Sequence, residues 1–177
     1  MSFADEFGLV RVVPGSRDES FAELFRDHGD AVYRLAWFMT GSSHVAEEIT
    51  AEVFARVLPK WRRGGIVDPV QYLRRAVVNE SRSRHRRKGH EQRALTRQQV
   101  DSAAFDDVDQ ESLGEPLLDA LGQLPARQRI VVVLRFVEDL SEAEVARLTS
   151  SPVGTVKALA SRGLSTLRTL LEDNYEF

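Results

Sequence analysis

Apolar side chains recur at three- and four-residue spacing along two stretches of this chain, 16–90 and 116–173, while residues 91–115 between them show no such period. That pattern points to helices, because a strand needs period two and a membrane span needs about 20 uninterrupted apolar residues. The longest apolar runs, such as Ile130–Leu134, are far shorter. Two buried stripes joined by an aperiodic segment predict an all-α protein with a flexible linker, and 177 residues suit one mid-sized domain or two small ones. The 42% of apolar residues is enough for such cores to form. The chain has no Cys, which excludes a disulfide framework, a thiolate nucleophile and Cys-ligated zinc. Its first residues hold Asp5 and Glu6 and lack a cationic start before an apolar run, so no secretory signal is expected. A soluble cytoplasmic protein is the resulting expectation.

Helix starts and stops are written along the chain. Ser16 and Glu19 have the spacing of a capping box, in which each side chain satisfies the other's free backbone N–H. Phe21, Leu24, Phe25, His28, Val32, Leu35, Ala36 and Met39 follow, with Gly29 expected to break the run. After Gly41, Ser42 or Ser43 caps a second helix carrying Val45, Ile49, Val53 and Val57, which Pro59 and Gly64-Gly65 should close. Asp68-Pro69 opens a third, since Asp caps and Pro at the first helical position loses nothing. In the second half of the chain, Leu117–Leu124 and Ala126–Asp139 read as helices. The β-branched run Ile130-Val131-Val132-Val133 favours a strand by propensity, but its neighbours and spacing favour helix. Ser141 with Glu144 forms another capping box, Thr149-Ser150 a turn, and Ser151-Pro152 another helix start. This is the grammar of a helix-turn-helix, with Val153, Val156, Ala160, Leu164, Leu167 and Leu171 on the buried side of its last helix.

The formal net charge of −3 argues against a nucleic-acid partner only when averaged. Residues 70–97 carry net +7, residues 98–119 carry net −7, and the rest of the chain carries −3. In the helix after Asp68, Leu73, Val77 and Val70 point one way, and Arg75, Asn79, Arg82 and Arg86 point nearly opposite. Arg84, Arg87 and Lys88 flank that face. No acidic residue four positions away is expected to pair these arginines, and like charges at that spacing destabilise a helix. Guanidinium groups for phosphates and one amide for a base edge make a nucleic-acid face out of it. Trp61 and Tyr72 lie on either side of the loop Arg62–Asp68; aromatics there serve either as core or as stacking platforms for unpaired bases. In the last helix, Thr155, Lys157, Ala158, Ser161 and Arg162 occupy the turns that a recognition helix presents to the major groove.

Catalytic chemistry finds no support. The His residues at 28, 44, 85 and 90 have no metal-ligand spacing, and no nucleophile elbow or phosphate-cradling Gly loop is present. Glu47, Glu48 and Glu52 form an acidic helix face without an opposing site, which suits docking. No metal and no cofactor are expected.

Three groups of residues together resemble the extracytoplasmic-function (ECF) group of bacterial RNA polymerase sigma factors. The first is Val32-Tyr33-Arg34-Leu35-Ala36, with Thr40-Gly41, Ala46-Glu47-Glu48-Ile49 and Glu52-Val53-Phe54. The second is Tyr72-Leu73-Arg74-Arg75 through Asn79 to Lys88. The third runs from Leu121 through Leu124-Pro125, Leu134-Arg135-Phe136, Leu140-Ser141, Glu144-Val145-Ala146 and Gly154-Thr155-Val156-Lys157 to Arg168. The resemblance implies a sigma region 2-like bundle over 16–90, an acidic linker over 91–115 and a region 4-like helix-turn-helix over 116–173. It implies docking of Glu47, Glu48, Glu52 and Phe54 on the clamp helices of the polymerase largest subunit, with the second domain at the flap. Trp61, Tyr72, Arg75, Asn79, Arg82 and Arg86 would recognise and melt the minus-ten element. Thr155, Lys157, Ala158, Ser161 and Arg162 would read the minus-thirty-five element. The linker would thread toward the polymerase channel, and an anti-sigma factor would restrain the protein.

Departures from the family pattern are local. Ala51 stands for a common Gln, Tyr72 for a Trp, Ser83 for an Asp, and Ala158-Leu159-Ala160 for a Ser-Arg-Leu that would supply a phosphate contact. Two other readings compete: a stand-alone helix-turn-helix regulator, which needs a dimerisation element, and a polymerase-binding protein that never touches promoter DNA.

Overall fold

The apolar periodicity is realised as helices in a computed structural model, which describes residues 17–95 and 115–173. In chain order these are α1 (Arg17–Thr40), α2 (Ser43–Arg62), α3 (Pro69–Leu95), α4 (Glu115–Gln123), α5 (Ala126–Val132), a π-helical turn (Val133–Val137), α6 (Glu142–Thr149) and α7 (Val153–Asp173). No strand occurs among the described residues, and the Ile130–Val133 run is helical.

The capping signals do their work. The Ser42 hydroxyl accepts from the Val45 amide, and the Asp68 carboxylate accepts from the Gln71 amide at 3.0 Å. At α6 the box is reciprocal: the Ser141 hydroxyl accepts from the Glu144 amide, and the Glu144 carboxylate accepts from the Ser141 amide at 2.8 Å. The Ser141 hydroxyl, which also donates to the Glu144 carboxylate at 2.6 Å, and the Ser141 amide hold that carboxyl below its ordinary pKa. The proposed Ser16 box lies partly outside the described residues. Gly41, at φ 74°, ends α1, and Ser150, at φ 49°, ends α6 in the left-handed region.

Two expected breaks do not occur. α1 runs through Gly29, which is buried, with the Phe25 ring one turn back where an added Cβ would meet it at 3.8 Å. Burial of the helix on both sides of Gly29 outweighs the roughly 1 kcal/mol a helical Gly costs. α2 runs through the exposed Pro59, and its last turn is tied down by Trp61, whose Nε1 donates to the Ser20 hydroxyl at 3.0 Å. α3 also extends past Lys88 to Leu95, into the stretch read as linker.

α1, α2 and α3 pack on one another; α5, α4 and α6 pack around α7. The α7 stripe is narrower than its pattern suggested: Val156, Ala160 and Leu167 are buried, while Val153 and Leu164 face solvent. The reason is Gly163, buried in the same stripe, where a Cβ would stand 2.6 Å from the Val132 methyl of α5. The two helices meet backbone to side chain there. Gly163→Val should therefore destabilise the second domain by about 2–3 kcal/mol through overpacking. Gly154→Ala, in the first turn of α7 with nothing within 4 Å, should instead raise the melting temperature slightly, since Ala is the better helix former.

Candidate nucleic-acid and docking interface

α3 carries most of the candidate site, and it is three-sided. Leu73, Val77 and Glu80 are buried on the side toward α1 and α2. Val78, also buried, turns further round the helix, between Arg74 and Arg82, which bond to the second domain; Ser81, buried too, lines a cavity with Thr40, Ser42 and Val45 of the first. Arg75, Asn79 and Arg86 share the exposed side, as expected from spacing. Val70, placed on the buried side by its spacing, is instead exposed at the helix start.

Arg82 departs from the expected exposed row. It is partly buried, and its guanidinium donates to the backbone carbonyl of Thr149 at the end of α6. Burial lowers its pKa, and the neighbouring charges of Arg86 and Arg127 push the same way. The aromatics are partly committed as well. Trp61 is half-buried against the core and held to Ser20; Tyr72 is half-buried with the Lys60 ammonium 5.0 Å over its ring. In the loop between them Val67 is fully exposed. Its signal in the sequence was an apolar residue among Gly and charged neighbours.

The acidic face on α2 is tied to α3. Arg84 donates to Glu48, to Glu52 at 2.8 Å and to Glu80 at 3.3 Å. Glu80, 3% exposed, also receives Arg56 at 2.8 Å and Arg87 at 2.9 Å. This overturns the expectation that no acidic residue pairs these arginines: Glu80 does so from four positions before Arg84. Arg84 on α3 and Arg56 on α2 thus brace the two helices, Arg87 bonds Glu80 within α3, and α3's exposed side is left to Arg75, Asn79 and Arg86. Glu48 is exposed and Glu47 half-buried, so both remain reachable, and the Arg84 bond holds Glu48's pKa down. Phe54 is not reachable. It is 4% exposed and packs edge-on against Phe25 with ring centroids 4.6 Å apart, so it supports the acidic face from beneath.

Burial opposes ionisation of Glu80, yet the Arg56 hydrogen bond and charge, backed by Arg84, leave its pKa below the ordinary 4.5. A carboxyl depressed on folding contributes stability that is complete above its unfolded pKa and is lost as pH falls through the folded one. Unfolding free energy should therefore drop below about pH 4.5 and do so less steeply in Glu80→Gln. That variant should also lose about 2–4 kcal/mol at neutral pH, because three guanidinium groups lose their shared acceptor. Urea titrations across pH measure both.

On α7, Thr155, Lys157, Ala158, Ser161 and Arg162 are all exposed along one side. The Lys157 ammonium sits 3.5 Å from Glu142, a contact loose enough to yield to a phosphate. No group of residues able to hold a metal, and no helix long and apolar enough to cross a membrane, occurs among the described residues.

Comparison with known proteins agrees with this layout. Residues 24–91 match the Sigma-70 region 2 family and residues 114–167 match Sigma-70, region 4. The ECF RNA polymerase sigma factor SigE of Mycolicibacterium smegmatis is 33% identical over 86% of this chain, which spans 62% of that protein's length. RNA polymerase sigma factor CarQ of Myxococcus xanthus is 32% identical over 92% of this chain and 95% of its own. Among solved structures, the sigma factor RpoE of Bartonella quintana, in complex with the anti-sigma factor NepR, has the same fold. Its TM-score is 0.66 at 21% identity, over 87% of this chain and 98% of that one. The matches to both sigma regions in this order, with the identity to these relatives, place the chain in the ECF group of RNA polymerase sigma factors.

Proposed function

We propose that this protein gives core RNA polymerase its promoter specificity, binding the enzyme and recognising and melting promoter DNA without chemistry of its own. The observation that carries the reading is the exposed row Arg75, Asn79 and Arg86 on α3, together with an independent exposed row on α7. The first row has guanidinium groups for phosphates and an amide for a base edge, and it lies beside a loop whose Val67 is free to wedge between unstacked bases. This row serves the minus-ten element, with Arg82 joining it and Trp61 and Tyr72 supporting the loop. Thr155, Lys157, Ala158, Ser161 and Arg162 serve the minus-thirty-five element in the major groove. Glu47, Glu48 and Glu52 dock on the clamp helices of the largest subunit, the second domain meets the flap, and the acidic linker enters the polymerase channel, whose positive field it complements. The protein acts in the cytoplasm, under the control of an anti-sigma factor.

Footprinting on a promoter fragment tests the reading against a stand-alone regulator. Protection of both elements is expected only when core polymerase is added. Specific protection of duplex DNA by the protein alone would favour the regulator. Core binding with no protection at all would favour a pure interaction protein.

A further inference from the structure

The side of α3 that carries Arg74, Val78 and Arg82 is covered by the chain's own second domain. α3 packs against α6, and α1 against α5 and the π turn, so one buried cluster includes Trp37, Val78, Ile130, Leu134 and Leu148. Two polar contacts close the seam. Arg74 on α3 donates through Nε to Glu138, just after the π turn, at 2.8 Å, with both side chains partly buried. Arg82 donates to the Thr149 carbonyl, one of the acceptors a helix leaves open at its C-terminus, where a cation is also favoured by the dipole.

We infer that the free protein rests in a closed form, in which the second domain is latched onto α3 through Arg74–Glu138 and Arg82–Thr149 and withholds Arg82 from DNA until it is released. The functional part of this inference rests on the promoter reading above. The two promoter elements lie about 25 base pairs apart, or about 85 Å at about 3.4 Å per step. Domains joined by a 2.8 Å ion pair cannot span that distance, so binding both elements requires the latch to open.

The seam is also built to let go. Arg82, Arg86 and Arg127 are close enough to repel one another, and the acceptor Arg82 has gained is a neutral carbonyl. A phosphate offers it a charged acceptor, which makes a bond about twice as strong. Closure is one-sided as well. The α7 row stays exposed, so the closed form can still meet its upstream element, while α3 lacks one of its arginines.

The test uses the full chain, which has no native Cys, with spin labels on Ala31→Cys and Thr169→Cys, both at exposed positions. Pulsed EPR should give one narrow, short distance for the otherwise unaltered protein. Arg74→Glu should lengthen and broaden it, and Arg74→Glu with Glu138→Arg should restore it. Urea melts confirm that each variant is folded, and the restored pair separates latch loss from misfolding. Binding to a single-stranded oligo-dT of about 20 nucleotides gives the second readout. Arg74→Glu removes positive charge, so electrostatics alone predicts weaker binding, whereas unmasking of Arg82 predicts binding about fivefold tighter. A broad distance in the parent protein, or no shift in Arg74→Glu, overturns closure. A shift accompanied by weaker binding overturns the masking. If the distances shift as expected and neither form binds the oligonucleotide, the assignment of the α3 DNA face falls, and the masking with it, while closure stands.

Discussion

Asn79→Ala combined with Arg82→Ala should abolish promoter opening while leaving the protein bound to core polymerase. Asn79 is the one amide in the basic row of α3, and it is exposed; Arg82 is held only by a backbone carbonyl from the second domain. Each base or phosphate contact of this kind is worth about 1–3 kcal/mol, so the pair should lower opening about 100-fold or more. Permanganate reactivity of unpaired thymines reports opening, and co-purification with core reports docking. Neither side chain belongs to the buried core of the first domain, so that domain's thermal stability should change little, while the Arg82–Thr149 contact to the second domain is lost. Loss of core binding instead of opening would show that α3 and α2 do not divide the labour in this way.

The converse variant is Glu48→Lys with Glu52→Lys. It should lower affinity for core polymerase by at least about 100-fold, since like charges across an interface cost several kcal/mol. The structure adds a complication that spacing alone did not reveal. Both carboxylates already face Arg84, so reversal also sets like charges against α3. Adding Arg84→Glu to the pair separates the two effects. The triple variant should regain part of the α2–α3 contact, the loss of the Arg84–Glu80 pair remaining, yet stay defective in core binding. If core binding returned with the contact, these glutamates would act only through the fold.

Much of this arrangement could be read from residue spacing because helices state their own ends and faces locally. Ser141 with Glu144, and Asp68 before Pro69, are local hydrogen-bonding devices, and each forms as expected. The same holds for the exposed rows on α3 and α7, since a 100° step assigns a side to each residue without knowledge of the partner. What escaped depends on contacts between distant segments. Glu80 and Arg84 stand four apart on α3, a pair that spacing alone permits; only when α2 lies beside α3 does Glu80 also accept from Arg56. Phe54 enters the docking set only through the family resemblance, whereas its own place in the 3–4 stripe makes it core. Val78 carried a usable hint. An apolar residue off the main stripe of a basic helix, it marked a second packing partner, and that partner is α6. Gly163 gave a weaker one, because a Gly inside a helix signals close approach without saying to what.

The central claim is that this chain turns a non-specific polymerase into a promoter-specific one. Its most direct test is transcription by sigma-free core polymerase on a library of genomic fragments, with and without the purified protein, read by mapping transcript 5′ ends. The account predicts discrete start sites that appear only with the protein and that share two upstream sequence elements. Absence of any protein-dependent start site, from protein that demonstrably binds core polymerase, would contradict it.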